Sequence, residues 1–285
     1  MKKFDEIIRG NVLFDSHAHM SEYATSIGEV MERAKREGVQ YVFDMATGMN
    51  DIETVLANSD EKTGLLPAIG IHPERVIPGS DIFLPAYFEQ DGLIDDDLKQ
   101  LESLIAKNVK ELIMVGEIGL DYFVGRRGSL SNESTEKSKT LQKKLFERQL
   151  ELATEYKLPV SIHIREAFKD AFEILNEFKN LTNVVLHCFT GTYDDLKIAI
   201  DRSYYLGVNG ILTYSKASDL RDVFRKYIGR MGDNGKTDPI DFYNKNILFE
   251  TDSPLLRPAN AMSEGRLNEP MNIIKIYEQF KKICS

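Results

Sequence analysis

No stretch of the 285-residue chain approaches the roughly 18 consecutive apolar residues that a bilayer-spanning helix needs. The opening MKKFDEIIRG carries charges where a secretory leader has its apolar centre. Both absences set the expectation of a cytoplasmic protein with no membrane partner. Cysteine is scarce as well. Cys188 and Cys284 cannot build a disulfide framework and lack the clustering of a thiolate zinc site, which fits a reducing compartment. With 19 glycines and 9 prolines there is no low-complexity segment, and 42% hydrophobic against 28% charged residues excludes disordered and fibrous classes. Lysine and arginine number 36 against 45 acidic residues, a net charge of −9. That balance argues against a broad basic surface for gripping long nucleic acid and leaves room only for a local anionic-substrate site.

What is present is a regular alternation. Short apolar, β-rich runs at 12–14, 41–45, 65–71, 112–115, 159–164, 184–186, 204–208 and 247–249 are each followed by a helical stretch. Continuous apolarity suits strands covered on both faces, as in a parallel sheet wrapped by helices. Eight such units predict an α/β protein of (β/α)8 TIM-barrel type, and barrels of this length are commonly one domain, here 1–285. Residues 167–178 place Ala167, Phe168, Ala171, Phe172, Leu175 and Phe178 on one helical face. The last helix has the clearest period, through Ile273, Ile276, Tyr277, Phe280 and Ile283, with Asn268 expected as its cap. Two connections, 74–97 and 122–138, are long for such units and leave the C-terminal ends of strands, where barrel enzymes keep their sites. A third irregular stretch, 231–246, precedes the eighth strand and belongs to the opposite face.

Histidine is sparse, and its five positions are informative. His17 and His19 follow the first run, His72 the third, His163 ends the fifth and His187 follows the sixth. Residues i and i+2 of a strand share a face, so His17 and His19 point together into the barrel mouth, with Asp15 one step deeper. Glu117 follows the fourth run and Asp252 the eighth. Imidazole nitrogens and carboxylate oxygens suit Zn²⁺, Mn²⁺ or Fe, and four imidazoles with two carboxylates exceed what one four-coordinate ion uses. Two ions are the natural count, and a carboxylate between imidazole sets can bridge them. Asp15 is expected to orient a ligand ring by accepting its other N–H.

These residues lie in segments that resemble the TatD family of metal-dependent hydrolases among the amidohydrolase-like barrels. The segments are FDSHAH (14–19), GIHP (70–73), GEIGLDY (116–122), SIHIREA (161–167), LHCFTG (186–191), GVNG (207–210), ETDSP (250–254) and GRLNEP (265–270). The resemblance implies two divalent ions (Zn²⁺, Mn²⁺ or Mg²⁺), with His17, His19 and Asp252 on one, His163 and His187 on the other, and Glu117 bridging. It places His72 near substrate and Arg165 on a phosphate oxygen. It implies a deoxyribonuclease trimming 3′ ends or short single-stranded DNA, with Asp252 and Glu117 at the chemistry. The chain departs from the pattern in TYSKA (213–217), in its two long loops and in ending after one helix beyond NEP; Arg126 and Arg127 in the second loop are read as an exposed charge pair. The same activated water can attack a carbonyl, so ester or amide hydrolysis, including aminoacyl-tRNA deacylation, is the alternative, and a noncatalytic partner-binding subunit the third. Oligomeric state is left open.

Overall fold

The computed structural model describes residues 2–10, 12–23, 27–90, 92–123, 131–233, 246–264 and 267–284. Its strands are β1 (Leu13–Ala18), β2 (Val39–Met45), β3 (Leu65–Ile69), β4 (Met114–Asp121), β5 (Val160–Arg165), β6 (Val184–His187), β7 (Tyr205–Val208) and β8 (Ile247–Phe249). They follow one another in that order across one eight-stranded sheet. The described pairs β1·β2, β3·β4, β4·β5, β6·β7 and β7·β8 are all parallel. The helices are α1 (Lys2–Arg9), α2 (Ile27–Arg36), α3 (Ile52–Asn58), α4 (Ala86–Glu89), α5 (Leu93–Asn108) and α6 (Asn132–Tyr156), then α7 (Phe168–Leu175), α8 (Tyr193–Asp201), α9 (Ser218–Asp233) and α10 (Ile273–Cys284). A helix follows every strand, which is the (β/α)8 fold the alternation predicts.

By their contacts the residues form two compact units, one of Met1–Glu6, Met45–Asn58 and Leu66–Val184, the other of Ile7–Asp44, Ser59–Leu65 and Val185–Ser285. In the first, α5 buries Ile94, Leu98, Leu101 and Ile105, one stripe at helical spacing. In the second, Ala18, Met20, Val30, Met31, Ala34, Val39, Val42, Leu65 and Ile273 form a continuous core. The period read in the last helix holds: Ile273, Ile276, Phe280 and Ile283 are buried, and the Phe280 ring lies 5.4 Å from Phe224 and 5.7 Å from Phe249. Burial of one such aromatic side chain contributes roughly 1.5–3 kcal/mol.

Several boundaries differ from the sequence reading. Strand β1 continues through Ala18 and β4 through Asp121, so Asp15, His17 and Glu117 lie within strands rather than after them. All three are buried. An apolar run stops at its first polar residue, whereas a strand whose polar side chains are buried at a site does not. The 74–97 connection is shorter than expected, because a 3-10 turn (Pro73–Val76) and α4 divide it and α5 begins at Leu93. The 122–138 connection ends at Ser131, whose Oγ accepts the Ser134 N–H at 3.1 Å and caps α6. The helix read at 167–178 closes at Leu175. Asn268 is not the cap of α10; a 3-10 turn (Pro270–Asn272) intervenes. Asn268 is buried instead, its Nδ2 donating to Thr251 O at 2.8 Å and to Leu255 O at 2.6 Å. Arg126, Arg127 and most of 231–246 lie outside the described residues.

Candidate metal centre

In the second unit, β1 and its end, the end of β6 and the segment after β8 bring four ligand atoms together. The β1·β2 register runs from Asp15↔Val42 to Ala18↔Asp44, so β1 carries one extra residue around His17. Such a bulge re-aims a side chain. The Asp252 amide donates to His17 O at 2.9 Å and the His19 amide to Ser253 O at 2.7 Å, which laces the two segments together. Asp252 itself has φ 54, a left-handed conformation that aspartate tolerates better than most residues. His17 Nε2 lies 3.3 Å from His19 Nε2, and Asp252 Oδ1 lies 3.3 Å from His19 Nε2, 3.8 Å from His17 Nε2 and 3.9 Å from His187 Nε2. The His17 and His187 rings stack with centroids 3.5 Å apart.

These separations fit a shared cation. With metal–nitrogen bonds of about 2.0–2.1 Å, neighbouring corners of a tetrahedron stand roughly 3.3–3.4 Å apart. His17, His187 and Asp252 offer ligand atoms all within 4.8 Å of one another. Burial raises the pKa of Asp252, but the hydrogen bond to His19 and the His187, His19 and His17 rings outweigh it and leave the net shift downward. An ionised carboxylate among imidazoles is the charge pattern a divalent ion requires.

Two buried carboxylates stand behind this group. Glu250 Oε1 lies 3.0 Å from His187 Nδ1, accepts the Cys188 amide at 2.7 Å and accepts Asn209 Nδ2 at 3.2 Å. A carboxylate thus stands on the Nδ1 side of His187, with Nε2 on the side of Asp252. Gly207 makes room for it: a Cβ there would lie 2.3 Å from Glu250 Oε2. Asp15 does not accept an imidazole N–H. Its Oδ1 accepts the backbone amides of His17 at 3.2 Å and Thr251 at 2.9 Å, and its Oδ2 accepts the Thr251 hydroxyl. Asp15 therefore fixes the backbones of β1 and of the segment after β8 rather than a ring. Burial pushes its pKa up to about 8 against those hydrogen bonds.

In the first unit, β4 and β5 build the other group. Their register passes from Val115↔Val160 to Ile118↔Ile162, an extra β4 residue beside Glu117, then to Gly119↔His163 and Asp121↔Arg165. Glu117, Gly119 and Asp121 share a face by parity. A Cβ on Gly119 would meet the His163 backbone, so the glycine lets the two strands come close at this point. The His163 ring stands between the two carboxylates, with Nδ1 2.8 Å from Glu117 Oε1 and Nε2 3.2 Å from Asp121 Oδ2. Burial pulls the His163 pKa down, but the bonds to Asp121 and Glu117 overcome it and carry the value up to about 10. The position selects a cation, and with Asp121 behind Nε2, Nδ1 is the nitrogen that would bind a metal beside Glu117.

His72 Nε2 lies 3.3 Å from both Glu117 Oε1 and His163 Nδ1. Distance alone would group it with them as a ligand. Its Nδ1, however, accepts the Glu74 amide at 3.1 Å, so a neutral ring carries its proton on Nε2. That makes His72 a donor toward Glu117 or a substrate oxygen. Arg165 is partly exposed, with its guanidinium 3.7 Å over the Phe123 ring and one nitrogen 4.0 Å from Asp121 Oδ2.

The structure thus brings His17, His19, His187 and Asp252 together in one unit and Glu117, His163, His72 and Arg165 in the other. Asp121 and Glu250 escaped the sequence reading. Strand parity places Asp121, four residues beyond Glu117, on the Glu117 face of β4, whereas Glu250 lies just after β8, outside any strand.

The family model described as TatD related DNase matches residues 14–285. YabD of Bacillus subtilis, named an uncharacterized metal-dependent hydrolase, is 28% identical over 275 residues, covering 95% of this chain and 91% of its own. The crystal structure of YjjV, a TatD homolog from Escherichia coli K12, superposes with a TM-score of 0.73 at 25% identity, over 97% of this chain and 91% of that one. A TatD family hydrolase from Entamoeba histolytica shares the fold, with a TM-score of 0.70 at 22% identity over 96% and 91% of the two chains.

Proposed function

The chain belongs to the TatD related DNase family and is a metal-dependent hydrolase, and on that premise we propose that it cleaves phosphodiesters, trimming 3′ ends or short single strands of DNA. The observation that carries the reading is the polarity of the two imidazoles His163 and His187. Each has a carboxylate against one ring nitrogen, Asp121 or Glu250, and a second carboxylate on the side of the other, Glu117 or Asp252. That arrangement holds metal-binding imidazoles in one orientation. We infer two divalent ions with Glu117 as the shared carboxylate, as the family resemblance implies.

Bound divalent ions would offset the negative charge of the phosphodiester and bring the pKa of a water toward neutrality. Asp252, kept ionised by its imidazole neighbours, accepts the proton that the attacking water releases. His72 donates from Nε2 to a phosphate oxygen. Arg165 offers guanidinium N–H groups to another, its plane held against Phe123. Glu117 and Asp121 keep His163 between them while charge develops on the substrate.

Product analysis on oligonucleotides labelled at the 3′ or the 5′ end, with Mg²⁺, Mn²⁺ and Zn²⁺ in turn, tests the reading. Stepwise shortening from the 3′ end, abolished by chelator, is expected. Turnover of p-nitrophenyl acetate without bis-p-nitrophenyl phosphate would replace it with carbonyl hydrolysis, and turnover of neither would favour a binding role.

A further inference from the structure

Helix α6 carries buried polar side chains where a helix facing a core ordinarily presents apolar ones: Ser138, Gln142 and Gln149 are 4%, 1% and 0% exposed. Each carboxamide is bonded at both ends to the backbone of one residue. Gln149 Oε1 accepts the Ile71 amide at 2.7 Å, and its Nε2 donates to Ile71 O at 3.1 Å and Leu145 O at 3.0 Å. Gln142 repeats the pattern: Oε1 accepts the Asp121 amide at 2.7 Å, and Nε2 donates to Asp121 O at 3.0 Å and Ser138 Oγ at 3.2 Å. Ser138 Oγ in turn donates to Val76 O at 2.7 Å. A carboxamide that exchanges both bonds with one residue does the work of a neighbouring strand, and it does so here where β3 and β4 come to an end.

The three anchored points are informative. Ile71 directly precedes His72. Asp121 holds His163 Nε2, and Val76 closes the 3-10 turn that starts at Pro73, just after His72. All lie in the same unit as Glu117. Gln142 and Gln149 are seven residues apart, two helical turns or about 10.5 Å of rise. A single rigid helix therefore sets the spacing between the backbone that carries His72 and the backbone that carries Asp121. Apolar side chains would have filled the same volume without the cost of burying amides.

We propose that Ser138, Gln142 and Gln149 are positioning residues for the divalent ion that Glu117 and His163 hold, an inference that rests on the metal-dependent reading above. The test is ion affinity, measured by chelator competition together with ion stoichiometry on Gln142→Met, Gln149→Met and Ser138→Ala. Methionine keeps an unbranched side chain and removes both hydrogen-bonding ends; Ser138→Ala removes one atom and keeps the fold if the others do not. One ion should bind about 10- to 100-fold more weakly in the Gln variants, and less so in Ser138→Ala, while the other keeps its affinity. A purely structural role would lower the melting temperature of the metal-free protein and leave both affinities of the folded fraction unchanged. That result, or equal weakening of both ions, overturns the inference alone. Wild-type protein that takes up no divalent ion overturns the metal reading and the inference together.

Discussion

An imidazole held between two carboxylates binds a proton or a metal tightly for the same electrostatic reason, and removing one carboxylate separates the two contributions. Asp121 touches His163 at the nitrogen away from Glu117, 3.2 Å from Nε2, so it would orient the ring without facing an ion held beside Glu117. Asp121→Asn keeps the shape and removes the charge. It should weaken one ion by about 10- to 100-fold and leave the ion beside Asp252 in place. Glu117→Ala would remove the proposed shared ligand, so metal analysis should show well under two ions per chain and turnover should fall with them. Two ions and ordinary turnover in Glu117→Ala would remove the bridging assignment.

At the scale of elements, β4 is where the most function is packed into the fewest residues, and Gly119 is what allows it. Its φ of +139 is a conformation that side-chain-bearing residues rarely adopt, and a Cβ there would lie 2.0 Å from His163 O. Gly119→Ala should cost at least about 3 kcal/mol, read as a lower denaturant midpoint or loss of soluble protein. Gly28 in α2 is exposed with open space around its Cβ position, so Gly28→Ala should stay within about 0.5 kcal/mol. Equal behaviour of the two variants would show that the close approach is not limiting. The same strand explains what sequence could reveal. Eight apolar runs and the periodic α10 were legible because burial of apolar side chains writes itself as a pattern. The ends of β1 and β4 were not, since their residues are buried for the site and read as loop. That His17, His19, His187 and Asp252 gather in one group, and His72, His163 and Glu117 in another, was foreshadowed by the placement of the few histidines. That Asp121 meets His163, that Glu250 stands behind His187, and that Asp15 holds backbone all depend on contacts across 42 to 236 residues of sequence, which no local pattern records.

For the whole molecule, the governing quantity is the net charge of −9 set against the small cationic site proposed above. Two divalent ions would add about +4 locally, with Arg165 beside the one at Glu117 and His163, while the remaining surface repels a long polyanion. Contact should be confined to a few phosphates near one end of the strand. For single strands each neutralised phosphate contributes roughly 0.7 to the slope of log affinity against log salt, so two or three contacts give about −1.4 to −2.1. The side chain of Arg165 is 45% exposed and rests on Phe123, so Arg165→Ala would remove the proposed phosphate donor without opening the core. It should weaken binding and flatten the slope by somewhat under one unit, with ion content unchanged. The measurement is binding of a short single strand across a monovalent salt series, in Ca²⁺ if that ion supports binding without turnover. A slope steeper than about −4, or equal affinity for closed circles and open ends, would require an extended cationic track along the strand and would end the picture of an enzyme that holds its substrate by the terminus.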